Sequence, residues 1–261
     1  MRLLIISGHG RCARRACLEP SGRAEEQGAE EDLRLSGDIH SPETAGDATY
    51  RRIRTDIIFG HLGPGERLRL ERLRTRYATS VSTLREVLYR LSSEGLVTAE
   101  GQRGFEVAPI SAANFREVAA MRGLLEGHAL QESFAAGDIE WEGRVVAAHH
   151  KLARLETLIL AGDLEQTSAW KHYDREFHHA LISACGSRAL MDTHSVIFDQ
   201  FLRYQILAVR FRGEIAVGEH RTLLDCALVR DADTALRTLD RHIHACVDYT
   251  VEQGLFPLAA Q

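Results

Sequence analysis

Thr79-Ser80-Val81-Ser82-Thr83-Leu84-Arg85-Glu86-Val87-Leu88-Tyr89-Arg90-Leu91 is the stretch that decides the fold. Its polar start supplies N-cap candidates. Leu84, Val87, Leu88 and Leu91 then recur at i, i+3, i+4 and i+7, the apolar stripe of an amphipathic helix that ends at Glu94-Gly95. Upstream, Ile53, Ile57 and Ile58 predict a helix that stops before Gly60, and His61 to Gly65 is a turn cluster. Leu68, Leu70, Leu73 and Tyr77 predict a second, short helix. Downstream, Leu96–Ala99 and Phe105–Pro109 flank Glu100–Gly104 and predict two short strands around a tight turn. Helix, helix–turn–helix and β-hairpin together make a winged helix.

The rest of the chain is organised around this unit. Residues 1–46 carry Gly, Ser, Glu and Arg with little periodicity, and are expected to be a disordered tail or a misassigned start. Residues 47–109 form the expected winged helix-turn-helix domain. Residues 111–254 are helical in pattern almost throughout, broken at Gly137-Asp138, Gly162-Asp163, Gly186-Ser187, Gly213 to Gly218, and Arg230-Asp231. Segments of roughly 15–25 residues are too long for strands and predict an all-α bundle of about six helices. The expected class is therefore mainly α, with a small β-hairpin as the wing.

Composition excludes several classes. With 44% apolar and 26% charged residues in 261, the chain is neither fibrous nor wholly disordered. No run reaches the roughly 18 apolar residues of a membrane span, and Met1–Ser7 is too short for a signal peptide. Five cysteines without a C-x-x-C pair point to free thiols in a reducing, cytoplasmic setting. The net charge of −5 argues against a nucleic-acid partner until it is divided. Residues 1–49 carry −3, residues 50–107 carry +4 with Arg as every cation, and residues 108–261 carry −6. A basic head on an acidic body is the footprint of a DNA-binding protein.

In a helix–turn–helix, the start of the second helix reads base edges while neighbouring groups hold phosphates. Ser80, Ser82 and Thr83 present short hydroxyls there, and Arg85 lies one turn in, within reach of guanine or phosphate unless it pairs within its own helix. Arg103, beside Gly104 at the hairpin tip, is placed for the minor groove. Arg51, Arg52 and Arg54 on the first helix are phosphate candidates.

The body holds ten of the thirteen histidines. His149, His150, His172, His179, His194 and His244 read as solvated, and His128 as a partly buried packing residue. Asp174 and His178 are four apart on one helix face, while His220 and His242 fall on the last two helices. Three imidazoles and a carboxylate suit Zn above all, and also Ni, Fe or Mn, more than Ca or Mg. Spacing alone leaves open a chance grouping.

Tyr50 to Pro109 resembles the winged helix of GntR-family regulators through Ile57–Leu68, Leu84–Leu91, Glu94–Val97 and Gln102–Val107. That family's usual Ser-Arg-Thr-Pro-Val-Arg run is Ser80-Val81-Ser82-Thr83-Leu84-Arg85 here, so Val81 and Thr83 replace its first Arg and its Pro. Residues 112–252 are similar to the FCD effector domain of the FadR-type branch, through Arg122–Glu126, Ala184–Ser187 and Asp231–Ala235, with Ser187 in place of the usual Asn. The resemblance implies a transcription factor, most often a repressor, that binds a palindromic operator in double-stranded DNA as a homodimer. It also implies a divalent metal on Asp174, His178, His220 and His242, with a small carboxylate effector filling the ion's open positions. Arg122 and Arg203 are the expected effector-binding residues, although Arg122 could equally pair with Glu126.

Two alternatives compete. A metal-dependent hydrolase would need a general base and an open ligand position, but H-E-x-x-H and H-x-x-E-H are missing and Glu176 projects off the ligand face. A purely structural metal would staple the bundle without touching effector binding. The chain is expected not to be an enzyme.

Overall fold

The computed structural model describes residues 44–99, 104–208 and 211–252. The head opens with α1 (Ala45–Ile58), capped by Thr44, whose hydroxyl accepts from the Asp47 N–H at 3.1 Å. Helix α2 (Leu70–Tyr77) and helix α3 (Val81–Ser93) follow, and Ser80 caps α3 by accepting from the Thr83 N–H at 3.1 Å. Strands β1 (Val97–Ala99) and β2 (Phe105–Val107) pair antiparallel, with Val97 opposite Val107 and Ala99 opposite Phe105. Ile53, Ile57, Leu73, Leu84, Leu88, Leu91 and Val107 meet in one apolar core beneath the wing.

Leu68 departs from expectation. It lies before α2, and its N–H donates to the Phe105 carbonyl at 2.8 Å, so this segment runs as a third edge beside β2. The side chain still enters the head core, which is why its apolar spacing resembled a helix.

Among the described residues the body has six α-helices: α4 (Ala112–Ala136), α5 (Ile139–Leu160), α6 (Thr167–Ile182), α7 (Arg188–Ala208), α8 (Glu214–Val229) and α9 (Ala232–Glu252). Their inner faces enclose a second core that includes Phe115, Leu130, Trp141, Leu152, Phe177, Phe201, Leu223 and Leu239. Helix α8 begins directly after Gly213, whose φ is +62°, so Gly218 lies inside the helix and does not extend the break. Gly137 is fixed by crowding: a Cβ there would come within 2.5 Å of the Trp141 ring, which packs under the α4–α5 corner.

Head and body meet along α1 and α7. Ile58 packs with Phe198 and Leu202, and Gln200 Nε2 donates to the Glu94 carbonyl at 2.7 Å. Arg54 reaches across to the buried Asp199 carboxylate, which also takes Arg175 at 3.3 Å. This corrects the assignment of Arg54 to phosphate. Ile58 and Arg54 are four apart and share the face turned to the body, whereas Arg51 and Arg52 are exposed.

Candidate metal centre and nucleic-acid face

The start of α3 carries the expected surface groups. Ser80, Ser82 and Arg85 are exposed, and Thr83 is half-buried. The Ser80 hydroxyl lies 2.8 Å from that of Ser82 and 2.9 Å from that of Thr83, so the three hydroxyls form a small cluster over the helix N-terminus. Arg85 makes no ion pair among the described residues, which removes the alternative of a salt bridge within its own helix. Arg51 is exposed on α1, and Arg52 lies over the Tyr77 ring at 5.2 Å. Gly104 has φ +96° with open space at its Cβ position, as a hairpin turn needs. Arg103 lies outside the described residues.

In the body, Asp174, His178, His220 and His242 are all buried, and one ligand atom from each falls within 4.8 Å of the others. Helix α6 supplies the first two on successive turns, α8 supplies His220 and α9 supplies His242. Asp174 Oδ1 is 3.9 Å from His178 Nε2 and 3.3 Å from His220 Nε2. Neither approach has hydrogen-bond geometry: His178 Nε2, His220 Nε2 and Asp174 Oδ2 are buried atoms with no partner. Unpartnered buried ligand atoms this close together are a donor set that a cation would satisfy.

The other ring nitrogen of each histidine is spoken for. His178 Nδ1 contacts Glu126, His220 Nδ1 lies 2.6 Å from Glu156 Oε1, and His242 Nδ1 lies 2.8 Å from Glu219 Oε2. A carboxylate that accepts from Nδ1–H fixes the neutral ring in the tautomer with its lone pair on Nε2, the one a metal requires. Glu126 is itself oriented by Arg122, whose Nε donates at 2.8 Å, and by His194 at 3.2 Å. The donor set thus fits a divalent transition metal, both in ligand type and in the partners that aim each ligand.

Titration follows the same contacts. Burial drives His242 down to about 3 and lowers His178, so both are neutral. In the metal-free protein burial also opposes charge on His220, but the Asp174 and Glu156 carboxylates outweigh it and hold the imidazole at about 9, so a metal binding there displaces the proton from Nε2. Burial alone would raise Asp174; His220 and the Lys171 ammonium instead keep it well below the usual carboxylate range. Glu219 sits at about 2, because His242 and Arg212 outweigh the effect of burial.

Several expected residues fall elsewhere. Arg122 takes the ion-pair alternative: it is fully buried against Glu126 and lies over the Phe198 and Phe201 rings at 4.3 and 4.5 Å. Arg203 donates to the Ala108 carbonyl, at the junction between wing and body. The cavity beside the four ligands is instead lined by Lys171, Arg212, Gln205, Trp170, Ala216 and Cys246. His149 and His194 are buried, not solvated: one packs edge-on to Phe177 at 5.3 Å and the other reaches Glu126. His128 is exposed, not packed. The sequence reading pairs Glu126 only with Arg122 and gives none of Glu126, Glu156 and Glu219 its role behind a histidine. The available signals were Glu219 next to His220, and Glu126 one turn after Arg122.

The comparisons with known proteins agree with this architecture. Residues 45–107 match the description "Bacterial regulatory proteins, gntR family", and residues 117–245 match the FCD domain. The chain is 39% identical to the HTH-type transcriptional regulator BphR of Paraburkholderia xenovorans (strain LB400) over 80% of this chain and 86% of that one. It is 32% identical to the HTH-type transcriptional repressor GlaR of Escherichia coli (strain K12), over 74% and 90%. A putative GntR regulator from Rhodococcus sp. RHA1 superposes with a TM-score of 0.66 at 20% identity, covering 79% of this chain and 97% of its own. The fold, with a basic winged head on a helical body, defines a DNA-binding transcriptional regulator, not an enzyme. The chain belongs to the GntR family and carries an FCD domain.

Proposed function

We propose that this regulator is a metal-containing repressor whose affinity for its operator is set by a small organic acid. The observation that carries the proposal is the buried three-histidine, one-aspartate cluster, with each imidazole aimed by its own glutamate. Asp174, His178, His220 and His242 hold a divalent transition metal, with Zn favoured by this ligand set. Such an ion, when bound, supplies Lewis-acid attraction for a carboxylate at its remaining positions. A structural metal is the second reading, favoured by the burial of all four ligands.

Operator contact falls to the α3 start, with Ser80, Ser82, Thr83 and Arg85, to Arg51 on α1 and to Arg103 and Gly104 in the wing. Two heads in a homodimer match a palindromic site in double-stranded DNA, and the protein works in the cytoplasm. Helix α7 is the mechanical link: His194 touches Glu126 behind the cluster, while Phe198, Asp199 and Leu202 hold α1 of the head. An acid that binds one arrangement of α7 better than the other shifts the heads, and operator affinity changes by that difference, ~1–3 kcal/mol.

The test is a gel shift on the protein's own promoter with metal-loaded protein. Sub-micromolar binding, weakened by a small organic acid, is expected; no retention of any fragment from its own locus at low salt would defeat the proposal. Metal removal separates the second reading. A purely structural ion lowers the melting temperature on removal and leaves acid binding intact.

A further inference from the structure

Val81 is an apolar residue of α3 that the head core does not use. It opens the helix directly after the Ser80 cap. Its side chain is half-buried, and among the described residues it is packed neither in nor against the head core, to which α3 contributes Leu84, Val87, Leu88 and Leu91. Three residues on, Leu84 is buried; four residues on, Arg85 is exposed. At about 3.6 residues per turn, Val81 and Arg85 therefore share one edge of the helix, a turn apart, between the core stripe and the solvent face.

The neighbouring side chains are engaged within the chain. The Ser80 hydroxyl accepts from the Thr83 N–H at 3.1 Å and lies 2.8 Å from the Ser82 hydroxyl and 2.9 Å from that of Thr83, so these oxygens serve one another. Thr83 leans toward α1: its Cγ2 lies 3.9 Å from where a Cβ on Gly46 would stand. Val81 instead offers two methyl groups beside an exposed guanidinium. A helix–turn–helix lays its second helix in the major groove, and the head matches a DNA-binding family over its whole length. In that groove thymine is the base that presents a methyl group, and an apolar side chain tells it from cytosine by that group.

We propose that Val81 is a specificity-determining residue, which reads the C5 methyl of a thymine in each operator half-site, within two base pairs of the one that Arg85 contacts. The spacing follows from the helix: residues four apart are roughly 6 Å apart along its axis, against roughly 3.4 Å per base step. This deepens the proposed operator contact and rests on it. The hydroxyls and arginines of the head hold polar groups of the duplex, and Val81 adds an apolar reading that no phosphate can satisfy.

The experiment is fluorescence anisotropy with full-length, metal-loaded protein and two versions of one fragment from its own promoter. In the second version every thymine, primers included, is uracil, which keeps base pairing and removes each C5 methyl. The uracil fragment is expected to bind roughly 5–15-fold more weakly, the loss of about one buried methyl per half-site. Val81→Ala is expected to bind the two fragments within twofold of each other, at about the affinity of the unmodified protein for the uracil one. Its melting temperature should be unchanged, since Val81 lies outside the head core. Equal affinity of the unmodified protein for both fragments would overturn the proposal without touching operator contact, and this comparison requires no variant to fold. A thymine preference that survives in Val81→Ala would give the methyl to another residue, and a clear fall in melting temperature would return Val81 to the fold; either result overturns the proposal. No binding of the thymine fragment at low salt would defeat operator contact itself, and the proposal with it.

Discussion

The two halves of this regulator hold their functional groups in opposite ways. In the head, Ser80, Ser82, Arg51 and Arg85 stand on the surface over a small apolar core, open to a partner from outside the chain. In the body, the ligand histidines are buried and each is pre-aimed by a carboxylate: His178 by Glu126, itself held by Arg122, His220 by Glu156, and His242 by Glu219. Solvent-exposed groups tolerate substitution without loss of fold, whereas a buried polar network transmits each change to its neighbours. The head is therefore expected to lose binding alone when altered, and the body to lose binding, stability and communication together.

The largest effect is expected inside the cluster. His220→Ala removes one ligand and leaves Glu156 and Asp174 facing an empty space, so bound metal should fall from one per chain to near zero by elemental analysis. Glu156→Gln keeps the ligand but loosens its aim, and about 10–100-fold weaker metal binding is expected. Full metal content in His220→Ala would break the contrast at its strongest point.

Next comes the seam. Asp199→Ala strands Arg54 and Arg175, one from the head and one from the body, both of which lean on that carboxylate. Removing one partner of a buried pair costs about 3 kcal/mol, readable in a denaturant titration. The same change should also blunt any response of DNA binding to effector. A smaller effect belongs to the head surface. Arg85→Ala is expected to weaken operator binding by ~1–3 kcal/mol while unfolding shifts by no more than about 0.5 kcal/mol. Equal losses in binding and stability would mean that Arg85 serves the fold.

The gentlest probe is pH on metal-free protein. His242, held near 3 by burial, favours the folded state when neutral; its contribution is present above the unfolded value near 6.5 and is lost as pH falls toward 3. Glu219, held at about 2, adds a loss in the same direction below about 4.5. His220, raised to about 9, works the other way: its contribution is full below about 6.5 and disappears as pH rises through 9. The melting temperature should therefore peak near pH 6.5 and fall on both sides. A profile that is flat from pH 4 to pH 9 would contradict the assigned contacts.

The head and the body also differed in how much the sequence disclosed. The α3 stripe, its Ser80 cap and the hairpin follow local rules, so they were legible in order and extent. The four ligands were legible through the resemblance to the FCD domain; spacing alone pairs Asp174 with His178 on one helix face and leaves the two remaining histidines open to a chance grouping. What stayed hidden was contact between distant positions. Glu126, Glu156 and Glu219 lie on three helices, and nothing in their spacing ties each to its histidine. Arg122 and Arg203 were over-assigned because an arginine in an apolar stretch suits either a ligand or an internal carboxylate or carbonyl. Lys171 was passed over although it falls three before Asp174 on the same face. Arg54 had a readable sign: Ile58, one residue beyond the Ile53–Ile57 stripe, marks a second apolar face on α1, and Arg54 lies four residues before it.

The central claim is that the body governs the head, and fluorescence anisotropy of a labelled promoter fragment tests it most directly. Metal-loaded protein is titrated onto the fragment with and without an acid already shown by calorimetry to bind. The account predicts a change in operator Kd of about 5–150-fold, the range of ordinary coupling between sites. An unchanged Kd with the acid bound at saturation would contradict it.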